Sequence, residues 1–167
     1  EPLAIAQAIG AKFVRLKVYV GAMVKAEGIL EGCASEAVHY RHQIGAEDIS
    51  IFADVYDRTG EPLGRMPLVE EVRQAAVFGR ADAVVLTGKN FEETIQMVDE
   101  VSASDVKTKF LIGGGVNVGN VKQALRIADG IIISSAFKTY SGFTRESMLA
   151  DWDAGKIKTF MEAIKSF

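Results

Sequence analysis

Five short apolar runs, the turns that close them and the amphipathic stretches between them predict an α/β fold built on a parallel sheet. The runs fall at 13–19, 50–56, 83–87, 110–112 and 131–133, and a helix-like stretch stopped by Gly10 precedes the first. Strands that alternate with helices at this spacing suit a partial (β/α)8 barrel of five βα units preceded by a helix. An open doubly wound parallel sheet is the alternative. Five strands do not close an eight-stranded barrel, and no strand stands before the opening helix. We therefore expect residues 1–167 to form one domain, the C-terminal part of a barrel whose N-terminal β/α units lie outside this chain.

Composition narrows the class. With 167 residues, 49% of them hydrophobic, the chain can bury a real core. The net charge of -3 is mild, and no lysine-arginine run suggests a nucleic-acid surface. No apolar run approaches the ~18 residues that a membrane-spanning helix needs. The single cysteine, Cys33, excludes an internal disulfide and fits a reducing cytoplasm. No low-complexity stretch or Pro/Gly/Ser linker marks an internal boundary.

Each element has its own signal. In 13–19, Val14, Leu16 and Val18 alternate with Arg15, Lys17 and Tyr19, so one face suits a helix layer and the other a polar interior or a ligand. The stretch after Gly21 shows no clear period and reads as a long loop, with Glu27 and Glu31 exposed on it. Cys33, Ala37, Tyr40 and Ile44 share a helical face, on which His39 and His42 read as solvated rather than metal-binding. In 50–56, Ile51, Ala53 and Val55 oppose Phe52 and Asp54. Pro67 suits a helix start with Glu70 and Glu71 in its first turn, and Val69, Val72 and Ala76 form the packing stripe. Asn90 and Glu93 resemble a capping box ahead of Phe91, Ile95 and Val98. A last helix over 154–166 uses Ile157, Phe160, Met161 and Ile164, with Trp152 ahead of it as a core or interface residue.

The stretch 109–138 carries the clearest chemical signal. A short apolar strand runs into Gly113, Gly114 and Gly115, where the backbone can approach a ligand closely. Asn117 reads as the cap of a helix with Val121, Leu125 and Ala128 on one face. The next strand ends in Ser134 and Ser135. In a parallel sheet both turns emerge at one edge, and the turns after the last two barrel strands commonly hold phosphate. We therefore expect Gly113, Gly114, Gly115, Ser134 and Ser135 to bind phosphate, with Lys138, Thr87 and Gly88 as further ligand contacts. By strand parity Arg15, Lys17 and Asp54 face the barrel interior, where charges are costly unless paired or bound to a ligand. They are the candidate catalytic residues: Asp54 is expected within salt-bridge reach of Lys17 or Arg15, and a Schiff base on Lys17 is a further option. A buried ion pair that only fills the barrel is the structural alternative.

The ordered blocks KFVRLKVYVGAMVKAEGILEG, IFADV, ADAVVLTG, GGGVNVGNV and ADGIIISSAFK together resemble the BtpA/SgcQ family over nearly the whole chain. The resemblance implies a ribulose-phosphate-binding-like barrel of ~250 residues, with roughly ninety N-terminal residues absent here. It implies one of two roles: binding or transforming a small phosphorylated metabolite, sugar- or nucleotide-like, or assisting a membrane complex such as photosystem I without catalysis. Two positions depart from the family pattern: Lys17 stands where a polar amide is expected, and Arg58-Thr59 where a Lys-His pair is expected. The reading calls for no metal and no cofactor, no nucleic acid, a cytoplasmic location, peripheral rather than spanning membrane contact, and a homo-oligomer.

Overall fold

The computed structural model describes residues 1–142 and 144–165. Helix α1 (Pro2–Ile9) ends on Gly10, whose left-handed backbone closes it. Strand β1 (Phe13–Leu16) follows, then β2 (Ala22–Lys25), β3 (Gly28–Glu31), α2 (Ala34–Gln43), β4 (Ser50–Val55) and the two-residue β5 (Glu61–Pro62). Helix α3 (Leu68–Arg73) continues as a π-helical turn over Gln74–Phe78, and β6 (Ala83–Leu86), α4 (Phe91–Ser102) and β7 (Lys109–Ile112) come next. The chain ends with α5 (Val121–Ile127), β8 (Gly130–Ile131), a 3-10 turn over Ser135–Phe137, α6 (Arg145–Leu149) and α7 (Ala154–Lys165).

The main sheet is parallel, in the order β1-β4-β6-β7-β8. Each strand is laid beside its predecessor on the same side. A doubly wound sheet instead reverses its order at a switch point, so the observed order makes this a segment of a barrel. Register separates the two faces. Val14, Ile51, Ala53, Val55, Val84, Leu86 and Ile112 lie under the helices and form the core with Leu68, Val72, Ala75, Val98, Val101 and Val121. The other face carries Arg15 beside Phe52 and Asp54 beside Val85, with Phe13 stacked on Phe52 at 4.6 Å between ring centroids. α4 takes its cap as expected: Asn90 Oδ1 accepts from Glu93 N, and Glu93 Oε2 accepts from Lys89 N.

Several expectations need correction. The first strand ends at Leu16, so alternation stops there and Tyr19 is not on the polar face. It is 1% exposed, and its hydroxyl donates to Gly79 O. The stretch after Gly21 is not an irregular loop. Strands β2 and β3 form a hairpin with Lys25 opposite Gly28, and β5 adds to β2 in a small antiparallel sheet. Asn117 does not open a helix: α5 starts at Val121 behind Asn120, while Asn117 shapes the turn by accepting from Gly119 N. β8 spans only Gly130–Ile131, although Ile132 N still donates to Ile112 O. The helix after Pro67 buries Leu68, Val72 and Ala75, with Val69 and Ala76 partly covered. Trp152 and Met161 are exposed rather than core. Ser166, where the last helix was expected to end, lies outside the described residues.

Candidate functional site

At the C-terminal edge of the parallel sheet, the loops after β7 and β8 line one cavity of about 390 Å³. Gly113, Gly114 and Gly115 form one wall, and Ser134 and Ser135 form another. Arg15, Arg58 and Lys138 also line it, and no carboxylate is among its described lining residues. Cationic side chains in a concave lining with no described carboxylate favour an anion.

The glycine turn is shaped by its neighbours. A Cβ at position 113 would lie 2.1 Å from Thr87 Oγ1 and 2.6 Å from Val85 Cγ1, distances that no real contact allows. The same point is 3.4 Å from Arg15 Nη2. At 114 a Cβ would sit 3.5 Å from Thr87 Cγ2 and 3.6 Å from Arg58 Nη2, in ordinary contact. Two guanidinium groups therefore flank the turn. The Gly113 amide donates to Leu86 O, so it extends the sheet rather than facing the cavity. Gly115 holds a left-handed backbone at φ 76°.

Arg15 is tied to Asp54 by a bidentate pair: Nε donates to Oδ1 at 2.7 Å and Nη2 to Oδ2 at 3.0 Å. The pair is uneven, with the Arg15 side chain 31% exposed and that of Asp54 5%. Burial pushes the Asp54 carboxyl above its ordinary value, although the hydrogen bond and charge of Arg15 pull it down. The ion partner of Asp54 is thus Arg15, not Lys17. Lys17 is exposed beyond the end of β1 and acts on Asp54 only through its charge. Two of the five N–H donors of Arg15 are occupied by Asp54, and the guanidinium lines the cavity.

The remaining candidates divide. Ser134 and Ser135 are exposed at the cavity wall. Lys138 Nζ donates to Ser147 O and Met148 O and lies 5.6 Å from the Trp152 ring centre, so its charge reaches the cavity from a fixed position. Thr87 and Gly88 do not line this cavity but an adjoining one of about 130 Å³, shared with Tyr56, Asp57, Arg58 and Arg65. The buried Thr87 Oγ1 has no hydrogen-bond partner among the described residues. The Gly88 amide donates to Thr94 Oγ1, which gives that glycine a structural task. A cavity of about 450 Å³ near α1 and α2 is lined mainly by apolar side chains, Leu3, Leu16, Ala37 and Tyr40 among them. Cys33 lies there half-buried, and burial pushes its thiol up, which suits packing rather than nucleophilic attack. His39 and His42 are exposed, as expected.

Sequence reasoning missed Lys25 and Asp57. Their side chains, each 5% exposed, form a buried ion pair between the hairpin and the loop after β4. Asp57 also accepts from Thr59 N and from Thr59 Oγ1. Burial pushes the Asp57 carboxyl up, but the bonds from Lys25 and Thr59 outweigh it and hold the carboxyl below its ordinary value. The available signal was positional: the polar loop 57–65 directly follows a barrel strand, where functional groups gather.

Sheet order and cavity together define an α/β protein built as part of a (β/α) barrel, with a cationic pocket at the C-terminal ends of its strands. The chain belongs to the BtpA family, whose model matches residues 1–166. It is 33% identical over 164 residues to the photosystem I biogenesis protein BtpA of Synechocystis sp. (strain ATCC 27184 / PCC 6803 / Kazusa), covering 97% of this chain and 55% of that protein. It is 24% identical over 163 residues to the putative sgc region protein SgcQ of Escherichia coli (strain K12), covering 96% of this chain and 58% of that protein. The chain thus spans little more than half the length of these relatives. Among solved structures it is similar to native KDPGal, with a TM-score of 0.59 at 14% identity, over 99% of this chain and 65% of that one. It is also similar to a Schiff-base-forming fructose-1,6-bisphosphate aldolase, with a TM-score of 0.52 at 16% identity, over 82% of this chain and 56% of that one. At these identities the likeness speaks for the fold alone. No described helix is long and apolar enough to cross a membrane.

Proposed function

We propose that this chain carries the phosphate-binding part of a barrel that takes a small phosphorylated metabolite, sugar- or nucleotide-like, at the C-terminal ends of its strands. The observation that carries this reading is the cavity itself: Arg15 and Arg58 flank the glycine turn opposite Ser134 and Ser135, and no carboxylate competes among the described lining residues. Gly114 and Gly115 offer a surface for close approach, the serine hydroxyls offer hydrogen bonds, and the guanidinium groups supply charge in a geometry that matches phosphate oxygens. Asp54 holds Arg15 in place. A screen of phosphate esters against full-length protein, read by thermal shift and by titration calorimetry, tests the reading. Saturable binding of at least one ester, with its unphosphorylated parent inert, is expected. Equal binding of parent and ester would refute it.

The second reading is a non-enzymatic factor for assembly or stability of a membrane complex, peripheral to the bilayer. Its support is the 33% identity to a photosystem I biogenesis protein. Association with such a complex that survives loss of Asp54 and of the arginines would favour it over the first.

A further inference from the structure

Arg58 was not among the residues that sequence reasoning assigned to the site, yet it is held as if its position mattered. Residues 56–60 follow β4 directly and are fixed on both sides of Arg58. On one side, Tyr56 takes a left-handed backbone at φ 56°, which is uncommon for a residue with a side chain. Its amide donates to Glu71 Oε1, its hydroxyl to Met66 O, and Arg65 lies 4.4 Å over its ring. On the other side, Asp57 accepts from Thr59 N at 3.0 Å and from Thr59 Oγ1 at 2.8 and 2.9 Å. Lys25 reaches across from the hairpin to the second Asp57 oxygen. Its stem lies on Gly60, where a Cβ would come within 2.6 Å of Lys25 Cγ. The side chain between these fixed points is that of Arg58, whose Nη2 stands 3.6 Å from the Cβ point of Gly114.

A buried ion pair is weak evidence for stability, because desolvation offsets most of the attraction. Asp57 is also largely occupied by Lys25 and Thr59, which leaves it little capacity to meet a ligand. What the arrangement does achieve is a turn held from both sides, with the Arg58 guanidinium beside the glycine loop. Arg58 also lines both the larger cavity and the smaller one beside it. We propose that Arg58 is a direct phosphate-binding residue of this site, and that Lys25 and Asp57 are positioning residues that aim it. The proposal rests on the phosphate reading above and adds to it the residue that grips the anion and the device that holds it.

The test is calorimetric titration of full-length protein with inorganic phosphate, for wild type, Arg58→Gln, Asp57→Asn and Thr59→Val. Arg58→Gln should weaken phosphate by about tenfold or more, the loss expected for a charge-assisted bond. Asp57→Asn should weaken it in wild type but not further in the Arg58→Gln background, since its effect runs through Arg58. Thr59→Val removes the hydroxyl bonds to Asp57 but leaves the Lys25–Asp57 pair and the Thr59 amide bond in place, so it should weaken phosphate modestly while the protein stays folded, which keeps the test valid if Asp57→Asn does not fold. Wild type that takes up no phosphate overturns both this proposal and the phosphate reading. Wild type that binds, with Arg58→Gln unchanged, overturns the assignment of Arg58 alone. Equal losses from Thr59→Val or Asp57→Asn with and without Arg58 would show that the ion pair does not act through it.

Discussion

At the residue scale, small differences in distance separate positions that look alike in the sequence. Gly113 and Gly114 are neighbours in one glycine run, yet a methyl group at 113 meets Thr87 Oγ1 at 2.1 Å and one at 114 meets nothing closer than 3.5 Å. Gly113→Ala should therefore cost about 1–3 kcal/mol by overpacking, and Gly114→Ala should stay within about 0.5 kcal/mol of wild type. Urea denaturation of the two variants checks this. Tyr19 makes a second residue-scale prediction. Burial raises its phenol from 10.0 to about 12. A group whose folded pKa lies above its unfolded one adds stability that is lost as pH rises through the window between them. Stability should thus fall between pH 10 and 12, and Tyr19→Phe should flatten that fall in alkaline melts. Tyr19 also shows where sequence parity stopped working. Alternation through 13–19 was real, but the strand leaves the sheet after Leu16, so a residue assigned to the polar face turns into the core.

At the scale of elements, the five parallel strands were legible because each falls in a short apolar or alternating run with turns on both sides. The hairpin of β2 and β3 was not. Its strands are four residues each, its third strand is two residues long and distant in sequence, and its anchor is an ion pair spanning 32 positions. Of the charged candidates, Arg15 and Asp54 were legible as facing groups within reach of each other, but the choice of Arg15 over Lys17 was not, because Arg15 reaches along the sheet to Asp54 while lying opposite Phe52 and the strand ends before Lys17. The two pairs should respond differently to mutation. Lys25 is as buried as Asp57, so Asp57→Asn leaves a buried cation unmatched and should cost about 3–5 kcal/mol at neutral pH. Arg15 is 31% exposed and can turn to water, so Asp54→Asn should cost clearly less. The pH dependence separates them further. The Asp57 carboxyl is held below its ordinary 3.8, so its contribution is present above that pH and lost as pH falls through the lower folded value. Wild type and Asp57→Asn should therefore converge in stability below about pH 3.8 in acid melts. A constant gap would show that the charge on Asp57 is not what the fold uses.

At the scale of the whole molecule, the parallel sheet has β1 at one edge and β8 at the other, each with one strand neighbour. Exposed strand edges invite pairing with other chains, and Ile5, Ile9 and Phe13 are exposed on or just before β1. Residues 1–167 expressed alone should therefore self-associate, as light scattering after size exclusion would show. A monodisperse monomer would contradict this.

The glycine turn after β7 is the proposed anion site. Gly114→Asp tests it most directly, because position 114 accepts a side chain without clash and Arg58 Nη2 lies 3.6 Å from its Cβ point. An aspartate there places a carboxylate beside the cation that a phosphate would use and repels the incoming charge. Calorimetric titration of full-length wild type and Gly114→Asp with the phosphate ester that wild type binds is the deciding measurement. The variant should keep the wild-type fold and bind the ester about tenfold or more weakly. A folded Gly114→Asp protein that binds the ester as tightly as wild type would show that the turn only shapes the chain.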